Sequence, residues 1–186
     1  MVAMTGASGA VYAKRLLEVL PDVYDTVYFS VSENAAGVMC DELGLEYPEQ
    51  IIPDKLELKI KQYSCTDIYS PPASGSHDYD GLVVIPCSMG TLGRVASGIS
   101  DDLITRAADV CIKERRKLIL VVRETPVSLV HLKNMTALAE AGAVILPACP
   151  GFYNHPTDIA DLVDFVVDRA LRALGLDIRL TKGWGE

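Results

Sequence analysis

Histidine is scarce in this 186-residue chain: three copies, His77, His131 and His155, stand far apart. The five cysteines (40, 65, 87, 111 and 149) never fall as a CxxC pair, and their number is odd. That spacing argues against a zinc or disulfide framework and predicts reduced, mostly buried thiols. Positive charge is in deficit, with 17 Lys and Arg against 25 Asp and Glu for a net charge of −8. A general nucleic-acid binder would want a basic face for phosphates, although a local basic pocket for a small anion stays open. Long apolar runs are also missing. Leu82-Val83-Val84-Ile85 is far too short to span a bilayer, and no charged-then-apolar leader opens the residues given. What is plentiful is core material: 49% of residues are apolar, more than a disordered chain carries. At the usual ~150 residues per domain, the expectation is one soluble, cytoplasmic domain over residues 1–186.

Apolar residues cluster with two different rhythms. Thr26 to Val31, Gly81 to Pro86, Lys117 to Val122 and Ala143 to Pro147 are short, rich in Val, Ile or Leu, and bounded by turn residues. Continuous apolarity predicts parallel strands covered on both faces. Met1 to Met4 reads as the stub of a first strand. Between these runs the period is helical: Ala13, Leu16, Leu17 and Leu20, then Leu103, Ala107 and Val110. The last stripe is Ile159, Leu162, Val163, Val166, Ala170 and Leu174, with Asp158, Asp161, Asp164 and Asp168 read as a solvated face. Segment 46–76 breaks the rhythm with four prolines and is expected to be an irregular excursion with one short helix, Leu56 to Tyr63. Residues 175–186 form a C-terminal tail. The alternation implies an α/β fold: a Rossmann-like three-layer α/β/α arrangement around a doubly wound, mainly parallel sheet.

In such sheets ligands sit beyond the carboxyl ends of the strands. Small and hydroxylic residues gather there: Thr5-Gly6-Ala7-Ser8-Gly9, Ser30 to Glu33, Cys87 to Thr91 and Pro150 to Tyr153. The first loop suits an anion at a helix N-terminus, or a tight turn with Ser8 as N-cap; Ser88 to Thr91 suits either a cap or a phosphate cradle. Arg123-Glu124 directly after a buried strand is more telling, because it pairs an anion-holding guanidinium with a carboxylate that can move a proton. A local salt bridge is the plainer alternative. Arg115, Arg116 and Lys117 read as a solvated helix end complementing the dipole, and His131 as a first-turn helix residue.

Five stretches taken in order are distinctive: Thr5-Gly-Ala-Ser-Gly-Ala10, Pro71-Pro-Ala-Ser-Gly-Ser76, Ile85-Pro-Cys-Ser-Met-Gly-Thr-Leu92, Val122-Arg-Glu-Thr-Pro-Val-Ser-Leu-Val-His-Leu-Lys-Asn-Met135 and Leu146-Pro-Ala-Cys-Pro-Gly-Phe-Tyr153. On them the chain closely resembles the UbiX-type flavin prenyltransferases of the UbiX/Pad family, relatives of the homo-oligomeric flavin-containing cysteine decarboxylases. The likeness runs from Thr5 to about Leu174, and Gly183-Trp-Gly-Glu186 echoes the family's tail. The family carries several more residues before Thr5 than Met1 to Met4 here.

The resemblance implies transfer of a dimethylallyl group from dimethylallyl phosphate to N5 and C6 of reduced FMN, without a metal. It implies that prenylated FMN passes to a UbiD-type decarboxylase, and that the chain forms a homododecamer. FMN would be held by Gly6, Ala7, Ser8, Ser32, Ser88, Met89, Gly90, Thr91, Arg106 and Arg123. The prenyl phosphate would be gripped by Lys113, Arg123, Tyr153 and Arg169, the last reached from a neighbouring subunit. Ser8, Ser74, Lys113, Glu124 and Trp184 would serve the reaction, Glu124 as proton carrier and Trp184 as a ring face towards the allylic cation.

Three other readings compete. A flavin-dependent decarboxylase of the related type uses an early catalytic histidine, and none precedes His77; Lys133-Asn134-Met135 falls inside the prenyltransferase-like run. A flavin carrier or accessory subunit would not need Lys113, Glu124, Tyr153 and Arg169. A nicotinamide dehydrogenase would need G-x-G-x-x-G and an acidic ribose partner.

Overall fold

Strand-forming runs and helical periods alternate in the computed structural model, which describes residues 1–183 and 185, and of Asp54 the backbone alone. Among the described residues six strands form one sheet: β1 (Val2–Met4), β2 (Val27–Val31), β3 (Ile60–Ser64), β4 (Gly81–Cys87), β5 (Lys117–Val122) and β6 (Val144–Pro147). Their order is β3-β2-β1-β4-β5-β6 and every neighbouring pair is parallel. The first-strand stub is therefore a central strand. It pairs Val2 with Phe29 on one side and Val83 on the other, and Val2, Ala3 and Met4 are fully buried.

Parallel strands need crossovers, and the helices supply them. Helices α1 (Ala10–Val19), α2 (Glu33–Leu43) and α6 (Ile159–Ala173) cover one face, packing Leu16, Leu17, Met39 and Val167 against Phe29, Ile85, Ile119 and Val121. Helices α3 (Met89–Ala96), α4 (Leu103–Lys113) and α5 (Leu129–Glu140) cover the other, with Leu92, Ile104, Ala108 and Leu138 against Leu82, Val84, Leu118 and Leu120. Each fully buried Leu, Ile or Phe contributes about 1.5–3 kcal/mol, which places the fold's stability in these two interlayers. The three-layer expectation holds, but β6 is an edge strand with Val144 and Pro147 exposed rather than a strand covered on both faces.

Four local expectations do not. Leu56 to Tyr63 is not a helix: a short 3-10 turn ends at Leu56 and β3 follows at Ile60–Ser64. Leu56, Leu58 and Ile60 alternate with Glu57, Lys59 and Lys61, a period of two, and the open edge of β2 supplies the partner. Ile60 is the buried member, and the exposed Lys61 suits an edge strand. The four aspartates of the last helix are not one solvated face. Asp158 caps α6, Asp161 accepts from Thr157, and Asp164 pairs with Arg15 at 2.6 Å. Asp168 is 1% exposed, accepting from Arg172 Nε at 2.7 Å and from the Leu180 N–H at 2.9 Å, so it ties residues 175–180 back onto α6.

Ser8 does not cap α1. Gly9 holds that position at φ 117°, a left-handed conformation that favours glycine. Arg116 is not a solvated helix end either; its partners are described below. Of the five thiols, Cys65, Cys87 and Cys111 are buried, Cys40 is half-buried and Cys149 exposed. Among the described residues, no helix is long and apolar enough to cross a membrane, and no three His, Cys, Asp or Glu side chains group as metal ligands.

Candidate functional site

Strand order reverses direction between β1 and β4, and the loops leaving those two strands meet there. Thr5 joins them: its hydroxyl donates to Pro86 O at 2.9 Å and accepts from the Ser88 N–H at 2.8 Å. Beyond β1, Gly6 runs so close to α2 that a Cβ would lie 2.9 Å from Asn34 Cβ. Beyond β2, Ser32 donates its N–H to Met4 O and caps α2 by accepting from the Ala35 N–H. Beyond β4, Ser88 caps α3, and Met89 and Thr91 are buried. The Thr91 N–H is spent on the Ser88 cap at 3.3 Å, so at this turn Met89 and Gly90 are the residues with backbone N–H groups to offer a ligand. Gly90 is exposed, and a Cβ there meets nothing nearer than Ser88 Oγ at 4.0 Å. Space thus opens in front of a helix N-terminus, where an anionic phosphate is favoured. Burial pushes the Cys87 thiol up to about 12, so it stays protonated as packing.

Sequence reasoning missed Glu42. It stands in the last turn of α2, yet its carboxylate reaches the start of α1, accepting from Gly9 N–H at 2.9 Å and Ala10 N–H at 2.8 Å. Burial alone would raise this carboxyl. Hydrogen bonds from the Ser8 hydroxyl and from Ala10 and Gly9, with the charge of Arg123, leave it lowered. The available signal was an acid where a helix dipole prefers a base. Arg123, half-buried at the end of β5, donates from Nε to Ser8 O at 3.2 Å. Exposed Glu124 follows, accepting from the Thr125 N–H at 3.0 Å. Gly6, Ala7, Ser8, Ser32, Ser88, Met89, Gly90, Thr91, Arg123 and Glu124 thus share the strands' carboxyl edge, as expected.

Ser74, Arg106 and Lys113 do not join them within one chain. Lys113 ends α4 and precedes β5, whereas Glu124 follows β5; six strand residues put about 17 Å between the two ends. Lys113 instead pairs with Glu114 beside Gly75, where a Cβ would lie 2.6 Å from Lys113 Nζ. Arg106 donates from Nε to Ala73 O at 3.0 Å and from Nη1 to Asp109 at 2.7 Å. A third cluster lies on the outer side of α6. There Arg169 Nη2 reaches Tyr153 Oη at 3.1 Å, and its guanidinium stands 5.2 Å from the Phe165 ring centroid. Tyr153 meets Phe165 edge-on at 5.7 Å. A cavity of about 700 Å³ opens beside this pair, lined among others by Asn154, Phe165 and Lys182. Trp184 lies outside the described residues.

His131 sits in the first turn of α5 as expected, accepting at Nδ1 from the Ser128 N–H while Ser128 caps the helix.

The family model described as Flavoprotein matches residues 1–171. The chain is 45% identical over 185 residues to flavin prenyltransferase UbiX of Methanocaldococcus jannaschii, covering 100% of this chain and 97% of that one. A crystal structure of a UbiX in complex with FMN and dimethylallyl pyrophosphate superposes with a TM-score of 0.88 at 40% identity, covering 98% of this chain and 96% of that one. A dodecameric FMN-dependent UbiX-like decarboxylase from Escherichia coli O157:H7 gives a TM-score of 0.90 at 39% identity, covering 100% and 98%.

Proposed function

The chain belongs to the flavoprotein family and, within it, to the UbiX flavin prenyltransferases, and from that premise we infer that it joins a dimethylallyl group from dimethylallyl phosphate to N5 and C6 of reduced FMN. The allylic C–O bond breaks, inorganic phosphate leaves, and new bonds at N5 and C6 close a fourth ring with loss of a proton. The observation that carries this reading is the meeting of the Thr5–Gly9 loop, the α3 N-terminus and Arg123-Glu124 at one strand edge.

FMN is the substrate held there. It supplies an electron-rich N5, while the chain's own groups bind and orient it. The Met89 and Gly90 N–H groups at the start of α3 are proposed to hold its phosphate, and Arg123 and Glu42 fix the Ser8 loop. Arg106 is proposed to reach the flavin of another copy. The departing prenyl phosphate gains charge in the transition state, so cations fixed on it lower the barrier. Lys113, Arg123 and Arg169 are proposed to supply that charge, with hydroxyl donors from Tyr153, Ser8 and Ser74. Glu124 passes a proton to the leaving phosphate and takes one at ring closure. Trp184 is proposed to turn its ring face to the allylic cation.

These groups lie in three clusters on one chain, which supports a site completed between copies. We propose a homo-oligomer, a dodecamer like the Escherichia coli relative, in which one copy's Ser74, Arg106 and Lys113 face another's flavin. A single domain over residues 1–186 carries these roles, in the cytoplasm, and the product serves a UbiD-type decarboxylase.

Anaerobic incubation with reduced FMN and dimethylallyl phosphate tests the reaction. A flavin heavier by one prenyl unit with stoichiometric phosphate is expected. Bound but unchanged FMN would contradict it and make the protein a flavin carrier.

A further inference from the structure

The segment Ala73–His77 alternates. Ser74 and Ser76 are exposed, with Ala73 buried and Gly75 and His77 half-buried between them. The carbonyls on the inner side are all engaged by two arginines. Arg106 Nε donates to Ala73 O at 3.0 Å, Arg116 Nη2 to Gly75 O at 2.7 Å, and Arg116 Nη1 to His77 O at 2.8 Å. Arg116 is itself locked: its side chain is 13% exposed and its guanidinium stands 4.6 Å from the Tyr79 ring centroid. Tyr79 Oη in turn donates to Pro72 O at 3.1 Å, and His77 Nε2 meets Tyr28 Oη at 2.8 Å. With these three carbonyls engaged, the segment turns the Ser74 and Ser76 hydroxyls outward. Ser74 and Ser76 Oγ lie 2.8 Å apart on either side of Gly75, which is bordered by the Lys113 ammonium together with the Glu114 carboxylate that pairs with it.

Resting on the composite site proposed above, we infer that Arg116 is a positioning residue for the prenyl phosphate. It never touches the phosphate. Its planar fork takes two alternate carbonyls at once, so the Ser74 and Ser76 hydroxyls are preset beside Lys113, whose ammonium exchanges the Glu114 carboxylate for the phosphate when a copy offers this surface to its neighbour's flavin site. Lysine cannot reproduce that geometry, since its ammonium is a single point charge. The sequence reading of Arg116 as a solvated cation thus gives way to a role in setting affinity for one substrate and not the other.

Steady-state kinetics of the Arg116→Lys variant test this. The KM for dimethylallyl phosphate should rise about tenfold, by more than kcat falls. FMN affinity and the thermal midpoint should stay near wild type, because Arg106 keeps its own bond to Ala73 O and the other proposed flavin contacts stand at the opposite strand edge. In a Ser74→Ala background the same substitution should raise KM by less than about twofold, since the two act through one surface. Tyr79→Leu, which removes the platform under the guanidinium, should reproduce the selective rise. An unmoved KM, a parallel loss of FMN affinity, or additive effects with Ser74→Ala would overturn the inference. Wild-type protein that makes no prenylated flavin would instead remove the functional reading beneath it.

Discussion

At the scale of single residues, the flavin edge depends on groups that fix backbone rather than touch ligand. Glu42 closes the start of α1 from another helix, standing in for the N-cap side chain that Gly9 lacks. Glu42→Ala should cost about 1 kcal/mol, as loss of a cap does. Its carboxyl is lowered from 4.5 in the folded chain. That contribution is therefore full above the unfolded value and lost as pH falls through the folded one. Urea midpoints of wild type and variant should differ at pH 7 and converge in acid; a gap independent of pH would contradict the assignment. Gly75 tests the facing cluster. A methyl there collides with the flexible ends of Glu114 and Lys113, so Gly75→Ala should change stability by less than about 0.5 kcal/mol while raising the KM for dimethylallyl phosphate.

At the scale of elements, five of the six strands and the helical stripes were legible because short apolar runs bounded by turn residues read as strands, although β6 proved to be an exposed edge rather than a strand covered on both faces. β3 was not. An edge strand buries one face weakly, and Leu56 to Tyr63 fits either period until β2 is known to lack a partner. The aspartates of α6 show the same limit: spacing put Asp168 near the polar side, but the tail that returns to it is invisible to a helical wheel. Asp168→Ala leaves the Leu180 N–H and the Arg172 guanidinium without their carboxylate. It should cost about 2 kcal/mol, roughly 5 °C in Tm for a chain of this size. Calorimetry reads this directly, and an unchanged midpoint would show that the tail holds by apolar contacts alone.

At the scale of the whole molecule, residue types were easier to find than their places. Motifs pointed to Ser74, Arg106, Lys113, Tyr153 and Arg169, but a sequence does not say which residues face each other across a subunit boundary. The fold separates Lys113 from Glu124 by the length of β5, so a working site between them requires two copies. Mixed oligomers of Lys113→Met and Glu124→Gln proteins, dissociated and reassembled together, test this most directly. Each variant alone should make almost no prenylated FMN. Random reassembly should leave about a quarter of the sites with both residues intact and restore that share of activity, as symmetric repetition of one interface demands. A mixture as inactive as its components would place the whole reaction within one chain and contradict the account.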